Sequence, residues 1–277
     1  MHLLLNENQG GSKMKKNKFA FFVITFLIIF LVQPQNREFL VSTFTQNDFP
    51  SQFGFTNSAE EKNFEIENHH QNQNLELARK EFEGVQIIDV NPQSQFSNEE
   101  LSLEKGSWKK FSDLDFLGRV REANAMLGPE LLAKKERKNI SNVRPSGWKN
   151  KKIEVNGEKD YLYNRSHLIA FQLSGENDNP KNIFTGTRFL NANFAPGEKN
   201  SMVYFENQIV NYIKTTGHHV RYRVTPIFRN VELVCRGVRI EAQSIEDNSI
   251  SFDCFIFNIQ PEYDINYLTG TSQKVSK

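Results

Sequence analysis

Of the six histidines in the chain, His167 is the one whose neighbours could put it to chemical use. It follows Asn164, Arg165 and Ser166 and precedes the apolar run Leu168, Ile169, Ala170 and Phe171. The apolar run fixes the backbone while polar side chains crowd the ring. An imidazole ionises near ~6.5 and so accepts a proton from water at neutral pH. The other histidines invite duller readings: His2 lies in the extreme tail, His69 and His70 in a polar stretch, His218 in a turn after Gly217, and His219 at the opening of a strand. By itself His167 reads first as a hydrogen-bonded core histidine.

Glu206 is the second such group. The stretch Ser201 to Lys214 reads as a helix with Met202, Ile209, Val210 and Ile213 on one side, and Glu206 falls on that same side. A carboxylate aimed at the core needs a cation or donors, because burying it unpaired costs several kcal/mol. A structural salt bridge and a metal site both meet that need. Upstream, Asn182, Asn191 and Asn193 supply neutral amide oxygens and Arg188 a fixed positive fork. This donor set is poor for zinc and suits magnesium, a hard ion that takes few protein oxygens and keeps most of its waters. Hydrolysis of a phosphodiester needs a base, a metal for the leaving oxygen and cations for the phosphoryl charge. Residue types alone carry the argument as far as a metal-assisted phosphoryl hydrolase.

The elements that must position these residues read as a mixed α+β pattern around a central antiparallel sheet with flanking helices. Val85, Ile87, Ile88 and Val90 form a short strand stopped by Asn91 and Pro92. Asp115 to Leu127 reads as a helix, with Phe116, Val120, Ala123 and Leu127 at three- and four-residue spacing before Gly128 and Pro129. Val220 to Val224, Val231 to Ala242 and Ile250 to Ile259 read as strands, with Glu246, Asp247 and Asn248 turning between the last two.

A chain of 277 residues, 38% hydrophobic and 12% aromatic, can bury one full core, and its net charge of +1 points to no partner. The average hides a cationic stretch, Lys134, Lys135, Arg137, Lys138, Arg144, Lys149, Lys151 and Lys152 against a lone Glu136. Cys235 and Cys254 exclude a zinc cluster or a disulfide-dense scaffold; one disulfide and two buried thiols both remain open. At the N-terminus, Lys13, Lys15, Lys16 and Lys18 precede the apolar run Phe19 to Val32, the order of an export signal. No small-residue cleavage site follows, so membrane attachment through residues 19–32 stays open, and Met14 is an alternative start. The expected organisation is a signal or anchor over 1–35, a flexible polar linker over 36–82, and a catalytic domain over 83–277.

The run Asn164 to Ala170, then Thr185, Gly186, Thr187, Arg188 and Asn191, then Tyr204 to Glu206, resembles the DNA/RNA non-specific endonucleases of the ββα-metal class. Within that class it resembles the streptodornase and mitogenic-factor type secreted DNases. The segments Pro145 to Trp148 and Ile265 to Gly270 add to the match, which runs from about Val85 to Gln273. The resemblance implies a ββα-metal catalytic motif that hydrolyses DNA, and RNA as a further substrate, without sequence specificity, leaving 5′-phosphate ends. It makes His167 the base, Asn191 the direct ligand of magnesium (or manganese), and Glu206 an acceptor that holds the metal's waters. Arg165 and Arg188 become phosphate contacts; Asn164, Asn182, Lys149 and Lys151 become candidates for binding substrate. The broad family reads Asp-Arg-Gly-His where this chain has Asn164 and Ser166, a mark of the streptodornase branch. Two rivals remain, a non-catalytic surface protein that binds nucleic acid on the same fold, and a membrane-anchored nuclease for DNA uptake.

Overall fold

The computed structural model describes residues 58–155, 157–193 and 198–275. The export segment, the alternative start at Met14 and the first part of the linker lie outside them. Among the described residues no helix is long and apolar enough to cross a membrane.

Six antiparallel strands form the central sheet, in the order β1 (Ile87–Asn91), β10 (Ser251–Phe257), β9 (Gly237–Ser244), β8 (Val220–Ile227), β3 (Ala123–Leu127) and β2 (Trp108–Phe111). Alternation gives the sheet two unlike faces. Val220, Tyr222, Val224, Val238, Ile240, Ala242, Cys254 and Ile256 point to an apolar face and enter the main core. Their neighbours Arg221, Arg223, Arg239, Glu241 and Asp253 point the other way and are nevertheless buried.

The apolar face receives helix α4 (Met202–Thr216) through Ile209, Val210 and Ile213, together with Leu168, Ile169 and Leu190. Each such aliphatic side chain contributes about 1.5–3 kcal/mol by leaving water. This layer carries the site. A separate ribbon of β6 (Tyr163–His167) and β7 (Ile183–Thr187), with His167 opposite Ile183, leads into the short helix α3 (Arg188–Asn191) and then α4. A four-residue helix α2 (Phe171–Ser174) lies in the ribbon's connecting loop, and two further hairpins pair β4 (Lys152–Val155) with β5 (Glu158–Tyr161) and β11 (Tyr263–Ile265) with β12 (Ser272–Lys274). Two segments that add to the family resemblance meet where Gly147 and Gly270 pack so closely that a Cβ on Gly270 would lie 1.7 Å from the Gly147 carbonyl oxygen.

Helix α1 (Ser58–Arg79) covers the charged face, so the expected flexible linker is corrected over this stretch. His70 Nε2 lies 2.7 Å from Glu241 Oε2, Gln73 and Asn74 accept from Arg239, and Leu77 and Ala78 close the end. The expectation missed this helix because its inward face is largely polar, matched to buried ions. Glu241 keeps a bidentate Arg223 partner at 2.8 and 2.9 Å, so His70→Ala is expected to cost about 1–3 kcal/mol without unfolding the sheet. Urea denaturation checks this; an unchanged midpoint would mean that α1 adds nothing to the fold.

The expected helix from Asp115 to Leu127 is corrected too. Asp115 Oδ1 accepts from the N–H groups of Leu117 and Arg119 and Gly118 has φ 72°, closing a turn, and the chain then runs as β3. Ala123, Ala125 and Leu127 alternate into the core, so the two-residue period prevails over the helical one. The strand expected from Val231 begins at Gly237, and both cysteines are buried free thiols.

Candidate active site

His167 ends β6 at the point where the chain enters the core. Asn182 locks that point: its Oδ1 accepts from Ile169 N–H at 2.9 Å, its Nδ2 donates to the Ile169 carbonyl at 3.0 Å, and its own carbonyl accepts from Leu168 N–H at 2.8 Å. The ring is 7% exposed, and Nε2 lies 2.8 Å from the backbone oxygen of Asn177. A carbonyl can only accept, so Nε2 carries the hydrogen and Nδ1 keeps a lone pair. Burial pushes the ring's pKa below its ordinary value; the carbonyls of Asn177 and Glu176 oppose this and the charge of Arg137 adds to it. The imidazole is therefore in its basic form at neutral pH.

Glu206 sits one turn inside α4, which ends at Gly217 with φ 73°. It is 8% exposed, and burial pushes its carboxyl up to about 8, with Arg137 pulling in the opposite direction. Helix α3 touches both β6 and α4, bringing Asn191 between the elements that bear His167 and Glu206. Thr187 caps α3, its Oγ1 accepting from Leu190 N–H at 3.1 Å and donating to the Ile259 carbonyl at 2.6 Å. Asn193 accepts from Ser201, tying the loop after α3 to the start of α4. Asn191 is half-buried, and its amide makes no hydrogen bond to another described residue.

These groups fit a hydrated divalent ion. An interior carboxylate with no hydrogen bond among the described residues and a raised pKa needs added positive charge. The Asn191 amide oxygen, without a hydrogen bond among the described residues, is a hard donor. No group of three or more His, Cys, Asp or Glu at metal-binding spacing occurs among the described residues, so a closed zinc-type cage is absent there.

Several residues assigned to substrate have other partners. Asn182 is fully buried with both amide atoms spent on Ile169, so it shapes the backbone and cannot reach DNA. Arg165 stacks 4.4 Å over Trp148 and donates to the carbonyls of Val143 and Ser141, which pins the cationic loop. Arg188 pairs with Asp160 at 2.9 Å and donates to Ala192, bracing the loop that follows Asn191. Lys151 donates to the Ser272 carbonyl at 2.9 Å. Asn164 is half-buried and Lys149 exposed. Arg137 was missed as an individual, though its charge acts on both His167 and Glu206. Asn177 was missed because its bond to the base comes from the main chain, which no residue type signals.

A family model described as DNA/RNA non-specific endonuclease matches residues 101–246, more than half of the chain, spanning β2 to the end of β9 with the ribbon and α4 inside. Among solved structures, NucA from Streptococcus agalactiae with magnesium bound is 26% identical, with a TM-score of 0.60 over 74% of this chain and 97% of that one. Sda1 nuclease with bound zinc is also 26% identical, with a TM-score of 0.60 over 70% and 98%. An extracellular endonuclease at 21% identity and TM-score 0.51, over 70% and 100%, shares the fold. No curated protein matches. With the ribbon, the two helices and the histidine in the same span, the chain belongs to the DNA/RNA non-specific endonuclease family and is a nuclease.

Proposed function

We propose that this nuclease is exported and hydrolyses phosphodiester bonds of DNA, and of RNA, without sequence preference, in a magnesium-dependent reaction with His167 as general base. The observation that carries the reading is the His167 ring, held by Asn177 through Nε2 with a depressed pKa, so that one basic nitrogen faces away from its support. Asn191 would hold the ion directly and Glu206 through water. NucA was solved with magnesium and Sda1 with zinc, which supports a divalent ion, and the oxygen donors here favour magnesium. When bound, the ion would offset negative charge on the phosphate and its leaving oxygen.

The chain's own residues do the rest. His167 Nδ1 takes the proton of the attacking water, and the Asn177 carbonyl stabilises the imidazolium by accepting from Nε2. Arg137 lends positive charge to the phosphoryl group. Exposed Lys134, Lys135 and Lys138 meet backbone phosphates, contacts that ignore sequence. Export rests on the lysines before the Phe19 to Val32 run, and the nuclease unit begins at α1 rather than at residue 83, since α1 covers buried charges of the sheet.

Incubating the purified protein with plasmid DNA and with RNA, with and without chelator, tests this. Cleavage of both polymers that stops with chelator and returns with added magnesium is expected. Binding without cleavage, or cleavage indifferent to chelator, would overturn it.

A further inference from the structure

Asn177 makes two bonds in opposite directions. Its carbonyl accepts from His167 Nε2 at 2.8 Å, and its side-chain Oδ1 accepts from the backbone N–H of Lys138 at 2.9 Å. Lys138 closes the exposed run Lys134, Lys135, Glu136, Arg137 and Lys138. The segment bearing Asn177 is itself gripped from the sheet: Lys109 on β2 donates to the Ser174 carbonyl at 2.6 Å and pairs with Glu176 at 2.6 Å. A support fixed to the sheet thus touches the base with one atom and the cationic loop with another.

We propose that Asn177 is a positioning residue that joins the two halves of the site, its side chain holding the loop 134–138 so that Arg137 meets the phosphate attacked by the water that His167 deprotonates. The proposal rests on the nuclease reading given above. Arg137 immediately precedes Lys138, whose N–H the Asn177 side chain holds, so that one bond fixes the backbone from which Arg137 projects. No hydrogen bond holds its guanidinium among the described residues, so the main chain must do so. Long cationic side chains lose rotamer freedom when they bind, and a loop already fixed at its backbone loses less.

Asn177→Ala removes the acceptor for Lys138 and leaves the carbonyl that serves His167. Asn177→Asp keeps the acceptor. Because the loop's cations grip phosphate before as well as during the reaction, the loss falls on KM. Steady-state kinetics of the full-length protein on duplex DNA are expected to show KM raised about tenfold for Asn177→Ala, a shallower salt dependence, and kcat within about threefold. Asn177→Asp is expected to restore KM to within about twofold. Limited trypsin digestion supplies a readout that needs no substrate: cleavage within residues 134–138 should be several-fold faster in Asn177→Ala and as slow as wild type in Asn177→Asp. Unchanged KM and unchanged digestion in Asn177→Ala would overturn the proposal, as would an Asp variant no better than Ala. Failure of the nuclease reading has a different mark, no cleavage of DNA by the wild-type protein in magnesium while trypsin digests the loop at the normal slow rate.

Discussion

His167→Ala is expected to lower kcat by on the order of a hundred- to ten-thousand-fold, with magnesium affinity close to wild type. The size follows from what is lost. Nε2 is committed to Asn177 and the ring is neutral at pH 7, so Nδ1 is placed to accept the proton of water, and alanine leaves bulk water as the base. Residual activity remains because the cations and the metal donors do not depend on the ring. The pH dependence follows from the same bond. Only the neutral ring is active, and burial places its pKa below the ordinary histidine value, so the wild-type rate should fall only at pH values below about 6.5 and stay level through neutrality. A rate that falls already between pH 8 and pH 7 would contradict that assignment.

Glu206→Gln should act on both rate and stability. A carboxylate that supports a metal through water is worth roughly ten- to a hundredfold in affinity or activity, and the amide keeps the shape while losing the charge. Without metal, the unfolded carboxyl ionises near 4.5 while the buried one holds its proton up to about 8. Between these values the unfolded chain releases a proton that the folded chain retains, so stability falls as pH rises through the window, by on the order of a few kcal/mol. Glutamine has no proton to release. In chelator, wild type should therefore melt progressively lower than Glu206→Gln from pH 5 to pH 8.5, and magnesium should narrow the gap by stabilising wild type more than the variant. Parallel melting curves across that range, with and without metal, would remove Glu206 from the metal site.

What could be read from the sequence follows from which patterns are local. Helix α4 was legible because Met202, Ile209, Val210 and Ile213 repeat at helical spacing, and that face carries Glu206 inward. The sheet's long strands were legible from alternation, as at Val220, Tyr222 and Val224 between Arg221 and Arg223. Helix α1 was not, because it buries His70 and uses Gln73 and Asn74 against Arg239, and a polar inward face carries no hydrophobic period. Phe116, 89% exposed at a turn, mimicked the first position of a helical stripe whose later members belong to β3. Within the site, residue type located a base, an amide and an acid. It did not show the partners of Arg165, Arg188 and Lys151, which are the Val143 carbonyl, Asp160 and the Ser272 carbonyl, because contacts of that kind form only once the chain has folded. Arg137 was hidden among eight cations, and only the fold shows that its charge acts on both His167 and Glu206.

The account depends on a single ring nitrogen taking a proton from water, and chemical rescue measures that directly. His167→Gly opens a space beside the Asn177 carbonyl in which free imidazole can stand where the side chain stood. Plasmid cleavage by this variant in magnesium should be nearly absent, and should rise with imidazole concentration and with pH as the free base is formed. Undiminished cleavage by His167→Gly without imidazole would show that another group activates the water.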